Sequence, residues 1–259
     1  MSLAEYKAII FDCYGTLIDW ETGMYQAFRP LLSTPDIPDK KRLFELFGQY
    51  ESMIQTETPS LLYPQVQVLA LSTVFSHQLT RTRLAEAYRR LALAIGHSTQ
   101  SGEAEAFGHS IEQWQCYPDT CKALSQLKNE CDMTLTILSN VDRESFSRTR
   151  LLLEQGDWGC IDAVFTAEEI GTYKPDPKNM NFALKRIRDD FSIALEDTLV
   201  VAVSLFHDVK PANDLGMKSV WIARHGSVLG IVDDGGGKPD WVFPDMKSFA
   251  DAMLKAKSG

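Results

Sequence analysis

The amino-acid sequence predicts an α/β protein: a doubly wound parallel (Rossmann-like) sheet domain with an inserted helical cap domain. Two observations predict this fold. Short apolar runs alternate with helix-like stretches through most of the chain, and one long interval, residues 21–114, has helical patterns but no convincing strand. Strands that alternate with helices form parallel sheets covered on both faces, whereas a block of helices alone has no place within such a sheet.

The first predicted strand, Tyr6–Phe11, is a short apolar run that stops at Asp12 and Gly15. This pattern is typical of a buried parallel strand that ends in a tight turn. Three later runs have the same character: Thr134–Leu138, Thr198–Val203 and Ser219–Ile222. Helix-like stretches lie between the runs: Pro118–Asn129, Arg143–Glu154 and Lys178–Asp189. We therefore expect a sheet whose strands all run in the same direction.

The predicted helical insert follows the first strand directly. It contains two segments with helical periodicity, Lys40–Tyr50 and Leu79–Ile95. Because these helices cannot belong to the sheet, both ends of the insert must meet the sheet domain side by side. We therefore predict two domains. Residues 1–19 and 115–259 form a core domain, and residues 20–114 form a cap domain.

The net charge of −9 over 259 residues argues against a nucleic-acid partner, because phosphate backbones are held by clustered Lys and Arg. No basic run appears anywhere in the sequence. An acidic surface also attracts anions poorly over long distances, so an anionic substrate needs a local positive charge inside a cleft. Lys174 is the candidate for that charge.

The cysteines and the hydropathy pattern point to the cytoplasm. The five cysteines are odd in number and have no zinc-type spacing, which favours reduced thiols. The first residues show no basic-then-apolar leader, and no apolar run approaches the roughly 18 residues that span a bilayer. We expect a cytoplasmic protein with no membrane partner, either a monomer or a homodimer.

Polar residues stand where the predicted strands end. Asp12 follows the first strand, Ser139 and Asn140 follow the second, Lys174 lies in a later loop, and Asp208 follows a further strand. Ligands of parallel sheets bind at the carboxyl ends of the strands. We therefore expect these side chains to converge on one rim of the sheet.

These residue types suit covalent hydrolysis, and four of them are predicted to be catalytic. A fixed carboxylate such as Asp12 is a competent nucleophile, and a covalent ester splits one difficult step into two easier ones. Thr16 can hold the orientation of Asp12 by a hydrogen bond. Lys174 can keep Asp12 ionised and offset the charge of an anionic substrate. Asp208 is the candidate for activating the water that hydrolyses the ester.

The order of these motifs resembles the haloacid dehalogenase superfamily. The four motifs of that superfamily match Asp12, Ser139-Asn140, Lys174-Pro175 and an acidic segment around Asp208. The resemblance covers essentially the whole chain. It implies the predicted sheet and cap, together with a hydrolase activity that uses Asp12 as a covalent nucleophile.

Position 14 distinguishes two branches of that superfamily. Most of its phosphatases carry a second Asp two residues after the nucleophile, which acts as an acid or base and whose backbone carbonyl helps hold magnesium. Here the residue is Tyr14, and a phenol with a pKa of about 10 is poorly suited to proton transfer near neutrality. The run Tyr14-Gly15-Thr16 resembles the 2-haloacid dehalogenase branch, which attacks saturated carbon without a metal. The resemblance therefore implies no cofactor and a small anionic 2-substituted carboxylic acid as substrate, of the 2-haloacid or azetidine-2-carboxylate type.

Five residues are predicted to contact the substrate: Tyr14, Ser139, Asn140, Trp20 and Glu51. Ser139 and Asn140 can bind the negative group of the substrate, Tyr14 can form a wall, and Trp20 lies at the expected cap hinge. The 2-haloacid dehalogenases place an Arg on an early cap helix to hold the leaving halide, whereas residues 47–52 here offer Glu51. An acidic residue favours a cationic amine as the leaving group.

Two other functions stay open. A magnesium-dependent phosphatase would use Asp12, the backbone of Tyr14 and Asp208 as metal ligands. The other is a binding protein that kept the fold without turnover. Val203 and Leu205 favour this second function, because the dehalogenases have small polar residues at those positions.

Overall fold

The structure is a computed structural model that describes residues 2–35, 37–57, 79–155, 159–224 and 236–259. The chain divides into two compact units. The first unit comprises Met1–Asp19, Cys116–Asn140 and Arg150–Gly259, and the second comprises Trp20–Gln115 and Val141–Thr149.

A parallel sheet forms the centre of the first unit. Its strands are β1 Ala8–Phe11, β2 Thr134–Ser139, β3 Ala163–Thr166, β4 Thr198–Ala202, β5 Lys218–Ile222 and β6 Trp241–Phe243. They lie in the order β3-β2-β1-β4-β5-β6, and every neighbouring pair is parallel. The chain therefore winds outward from β1 in both directions, which confirms the predicted doubly wound fold.

The helices account for most of the remaining described residues. In chain order they are α1 Trp20–Ala27, α2 Lys40–Glu57, α3 Leu79–Ala94, α4 Glu103–His109, α5 Thr120–Asn129, α6 Arg143–Leu153, α7 Ala167–Ile170, α8 Pro177–Phe191, α9 Lys210–Asp214 and α10 Met246–Lys257. None of the described helices is long and apolar enough to cross a membrane.

Helix α8 shows how the sequence builds the core of the sheet unit. Asp176 caps its first turn by accepting a hydrogen bond from the backbone N–H of Lys178, with a proline at the start of the helix. Met180 and Ile187 lie on its buried face and belong to one apolar cluster with Ile10 of β1. All four residues of β1 are buried, as expected for a central strand of a parallel sheet.

Two strands, β3 and β6, are absent from the sequence prediction. They are the two edge strands of the sheet, with only four and three residues. Val242 in β6 is 55 % exposed. Both strands consist mostly of apolar residues, but runs of three or four residues are too short to give a clear hydropathy signal.

In its described residues the second unit is helical and has no strand. Its core is aromatic: the ring of Phe28 stacks on Phe107 at a centroid distance of 4.9 Å and contacts Phe47 at 5.5 Å. Tyr88 of α3 packs on Phe107 at 4.7 Å. Helix α2 contains the predicted segment Lys40–Tyr50 and continues to Glu57, and α3 covers the predicted segment Leu79–Ile95 except for its last residue. The division of the chain into a catalytic core and a cap remains a prediction.

Candidate active site

The residues that follow β1 form a tight loop, which we call the nucleophile loop (residues 12–18). The backbone N–H of Asp12 donates to the carbonyl of Val201 at 3.1 Å, so Asp12 continues the pairing of β1 with β4. The chain then turns at Gly15, whose φ of +96° favours glycine. The N–H groups of Leu17 and Ile18 both donate to the Cys13 carbonyl, at 2.7 and 3.1 Å. This turn places Thr16 beside Asp12.

Both carboxylate oxygens of Asp12 accept hydrogen bonds. Thr16 Oγ1 donates to Oδ2 at 2.7 Å, and Lys174 Nζ donates to Oδ1 at 2.8 Å. The Asp12 side chain is 12 % exposed, so the carboxylate is fixed in orientation and still reachable from solvent. A carboxylate held in this way meets the geometric requirement of a nucleophile.

Two residues at the end of β5 support the nucleophile loop. The peptide of Val203 donates its N–H to Thr16 Oγ1 at 2.9 Å, and its carbonyl accepts a hydrogen bond from Trp221 Nε1 at 2.9 Å. The buried guanidinium of Arg224 donates to the Thr16 carbonyl from Nη2 at 2.7 Å. Arg224 also forms an ion pair with Asp119 at 2.8 Å. These supporting contacts were not predicted from the sequence.

Lys174 lies buried between two carboxylates. Its ammonium group donates to Asp12 Oδ1 at 2.8 Å, to Asp208 Oδ1 at 2.7 Å and to the Leu138 carbonyl at 2.8 Å. These three contacts use all three N–H donors of the ammonium group. Burial works to lower the pKa of Lys174, but the charges and hydrogen bonds of Asp12 and Asp208 outweigh it and raise the pKa. Lys174 is therefore a permanent positive charge in this site.

The side chain of Asn140 holds the backbone of Lys174. Asn140 Oδ1 accepts from the Lys174 N–H at 2.7 Å, and Nδ2 donates to the Lys174 carbonyl at 3.1 Å. Ser139 is buried at the end of β2. Tyr14 is half-buried and pairs with Ile18 across the loop. Substrate contacts by Tyr14, Ser139 and Asn140 remain predictions.

Asp208 is the second carboxylate of the site and lies on a single π-helical turn, Leu205–Val209, that follows β4. It is only 2 % exposed. Burial raises the pKa of Asp208 to about 7; the charge of Asp12 adds to the effect, while Lys174 opposes it. Its Oδ2 atom is buried and has no hydrogen-bond partner among the described residues. This oxygen can accept a hydrogen bond from a ligand or a water molecule.

The same two carboxylates also suit a magnesium ion in part. Mg²⁺ prefers oxygen ligands and is often held by one or two carboxylates together with substrate phosphate and water. Asp12 and the unpartnered Oδ2 of Asp208 supply two such groups. The described residues contain no cluster of three or more His, Cys, Asp or Glu side chains that would hold a metal, and Tyr14 replaces the third carboxylate.

Two predicted substrate contacts, Trp20 and Glu51, lie in the second unit. The ring of Trp20 packs edge-on against Phe44 at a centroid distance of 5.9 Å. Glu51 Oε1 lies 3.2 Å from Nε of Arg83, a buried arginine. Glu51 therefore already forms an ion pair with Arg83. Its contact with a substrate remains a prediction.

We expect Thr16→Val to lower the free energy of unfolding by about 1–3 kcal/mol, because it leaves the buried N–H of Val203 without an acceptor. Urea unfolding measures the change. Thr16→Ser keeps the hydroxyl and serves as the control, with a much smaller expected loss. Equal losses in the two variants would show that the Thr16 methyl group, which Val keeps and Ser lacks, contributes as much to stability as the hydroxyl.

The chain is similar to a family of known hydrolases. A family model described as haloacid dehalogenase-like hydrolase matches residues 6–204. The chain therefore belongs to the haloacid dehalogenase-like hydrolases.

Three similar proteins are two dehalogenases and one phosphatase. The (S)-2-haloacid dehalogenase 4A of Burkholderia cepacia is 22% identical over 221 residues, which cover 85% of this chain and 84% of that protein. The glyceraldehyde 3-phosphate phosphatase of Methanocaldococcus jannaschii is 32% identical over 118 residues, or 46% of this chain and 48% of that protein. The structure of L-2-haloacid dehalogenase from Xanthobacter autotrophicus with chloropropionic acid covalently bound has a TM-score of 0.69 at 16% identity and covers 95% of this chain and 97% of that one.

Proposed function

We propose that this protein hydrolyses a small 2-substituted carboxylic acid through an ester on Asp12, without a metal. The observation that carries the proposal is the arrangement of Asp12: one oxygen bound by Thr16, the other by the buried ammonium of Lys174. Two residues further on, Tyr14 takes the place of a carboxylate. The site thus offers a nucleophile and a fixed positive charge but no acidic residue at that position.

The relatives support this substrate class. Similarity to the (S)-2-haloacid dehalogenase 4A extends over 85% of the chain, and chloropropionic acid is covalently bound in a related dehalogenase structure. Residues 11–23, 171–175 and 204–208 further resemble L-azetidine-2-carboxylate hydrolase. We therefore propose two substrates, a 2-haloacid and L-azetidine-2-carboxylate, which differ in the leaving group on carbon 2.

In the first step, an oxygen of Asp12 attacks carbon 2 of the substrate. The new carbon–oxygen bond forms as the bond to the leaving group breaks, and the leaving group departs with the electron pair. A halide leaves as a free anion, whereas a ring nitrogen in its protonated ammonium form leaves as a neutral amine that stays attached to the carbon chain of the substrate. The positive charge of Lys174, 2.8 Å from Asp12, offsets the negative charge that the substrate carboxylate brings.

In the second step, water attacks the ester carbonyl of Asp12. The ester bond breaks, the product leaves as a 2-hydroxy acid, and the Asp12 carboxylate is restored. Asp208 Oδ2 is the proposed acceptor of the proton from water, because it is buried close to Lys174 and has no other partner among the described residues. A carboxyl with a pKa near the working pH is well matched to that role.

The proposal is tested by incubating the purified protein with L-azetidine-2-carboxylate or with 2-chloropropionate in the presence of a chelator. We expect a 2-hydroxy acid from at least one substrate, detected by mass spectrometry. Formation of product in chelator supports the metal-free mechanism. The absence of product from both substrates, under conditions where the protein is folded, overturns the proposed function.

A magnesium-dependent phosphatase is the second candidate, and one observation favours it. The unpartnered Oδ2 of Asp208 can serve as a metal ligand beside Asp12, and one relative is a phosphatase with 32% identity over part of the chain. This function predicts release of phosphate from an ester such as p-nitrophenyl phosphate with magnesium and none with chelator. The two assays together distinguish the candidates.

The raised pKa of Asp208 predicts a pH dependence. Asp208 accepts a proton only when it is ionised, so turnover is expected to rise with pH. The apparent pKa is expected to lie above the usual value of a carboxyl group because Asp208 is buried, and at or below about 7 because the charge of Asp12 is absent from the ester. Measuring kcat between pH 5 and 9 checks this. Asp208→Asn is expected to lose most of the activity and also the rise itself. A rise that persists unchanged in Asp208→Asn would assign the titration to another group.

A further inference from the structure

Two cysteines flank a tight turn in the first unit. The backbone N–H of Thr120 donates to the Tyr117 carbonyl at 3.0 Å, which closes the turn Tyr117-Pro118-Asp119-Thr120. Cys116 and Cys121 stand immediately before and after this turn. Both are partly exposed, whereas Cys13, Cys131 and Cys160 are buried. The turn therefore brings the two solvent-accessible thiols together.

The two thiols differ in acidity, as an attacking and a resolving cysteine do. A hydrogen bond from Cys116 lowers the pKa of Cys121 to about 7, although burial opposes the shift. The same hydrogen bond, together with burial, raises the pKa of Cys116. Cys121 also lies in the first turn of α5, where the helix N-terminus favours a thiolate. Cys121 is thus the more acidic of the two thiols, and its S–H donates to the Leu152 carbonyl at 3.4 Å, a contact that it gives up when it reacts as the thiolate.

The turn between these cysteines also contacts the nucleophile loop. The N–H of Tyr117 and the hydroxyl of Thr120 both donate to the Leu17 carbonyl, at 3.1 and 2.8 Å. The turn between Cys116 and Cys121 is therefore hydrogen-bonded directly to the loop that positions Asp12.

We propose that Cys116 and Cys121 form a reversible oxidation site for peroxides. The Cys121 thiolate attacks one oxygen of hydrogen peroxide; the O–O bond breaks, hydroxide leaves, and Cys121 becomes a sulfenic acid. The Cys116 sulfur then attacks the Cys121 sulfur, a disulfide forms, and water leaves. In total, two thiols lose two electrons and two protons, and one peroxide is reduced to two water molecules.

Peptide mapping tests this site directly. Trypsin leaves Cys116 and Cys121 together in Leu91–Lys122, while each of the other three cysteines falls in a different peptide. After treatment with near-stoichiometric hydrogen peroxide and alkylation, we expect this peptide to be two hydrogen atoms lighter and unalkylated. Dithiothreitol should restore alkylation. Alkylation of both cysteines after treatment, or a disulfide that joins two different peptides, would overturn the proposal.

Two variants separate the roles of the sulfurs, and neither replaces a residue of the proposed active site. Cys116→Ser is expected to leave Cys121 as a sulfenic acid that a cyclic 1,3-dione captures. Cys121→Ser is expected to leave Cys116 unmodified at the same dose, with Cys131→Ser as the control that still forms the disulfide. Capture at Cys116 rather than Cys121 would reverse the assignment. The mapping of the unaltered protein decides the proposal even where a variant fails to fold.

Discussion

Turnover of the 2-substituted acid falls by roughly 10⁴-fold or more in Asp12→Asn, because an amide cannot attack carbon 2 as a carboxylate does. The substitution preserves size and leaves an oxygen that can accept the hydrogen bond from Thr16 or Lys174. The loss of turnover is therefore attributed to the missing nucleophile and not to misfolding. Steady-state product formation, with the circular dichroism spectrum of the variant, measures it.

Asp197→Asn is a matched control for this result. Asp197 forms a partly exposed ion pair with Lys7 at 2.7 Å, and surface pairs of this kind contribute little to stability. We expect its turnover to be unchanged. Residual turnover above one-hundredth of the original in Asp12→Asn would contradict Asp12 as the nucleophile.

Oxygen labelling tests the ester separately. In a single turnover in ¹⁸O-water, attack of water on the ester carbonyl places the label in Asp12, and the product receives its hydroxyl oxygen from Asp12 unlabelled. The tryptic peptide Ala8–Lys40 contains Asp12, because trypsin does not cleave between Arg29 and Pro30, so mass spectrometry locates the label. Label found only in the product would indicate direct attack by water on the substrate and contradict the covalent mechanism.

The sequence predicts the site well where its residues follow strand ends. Asp12 and Asp208 follow adjacent strands of the observed sheet, β1 and β4. The rule that strand ends converge was enough to bring these two carboxylates together, whereas Lys174 lies in a loop and was assigned to the site by its motif and its charge. The hydrogen bond from Thr16 to Asp12 was also predictable, because it spans only four residues.

The supporting contacts were beyond sequence reasoning because they depend on strand register. Arg224 reaches the Thr16 carbonyl across 208 residues of chain, and Trp221 reaches Val203 from the neighbouring strand. Neither Arg224 nor Trp221 belongs to a recognisable sequence motif, and the sequence alone does not distinguish either of them from an ordinary packing residue. The role of Asn140 was missed for a similar reason: its amide holds the Lys174 backbone, which only the loop conformation reveals.

Lys174→Met should lower both stability and turnover, since it removes the buried cation between Asp12 and Asp208 while keeping an unbranched side chain. The two carboxylates then share a buried site without a counter-ion, and removing one partner of a buried pair costs about 3–5 kcal/mol. Urea unfolding measures this loss at neutral pH. Turnover is expected to fall by roughly 10²–10³-fold, because an electrostatic contact to the reacting carboxylate is lost.

A second substitution distinguishes charge from packing as the cause of this instability. In the double variant Lys174→Met with Asp208→Asn, only one of the two carboxylates remains, so like-charge repulsion disappears. We expect the double variant to recover about 1–3 kcal/mol of the free energy of unfolding relative to Lys174→Met but no turnover. A double variant that is no more stable than Lys174→Met would exclude like-charge repulsion as the cause of the instability. The lost hydrogen bonds of the ammonium group, among them the one to the Leu138 carbonyl, would then be the cause.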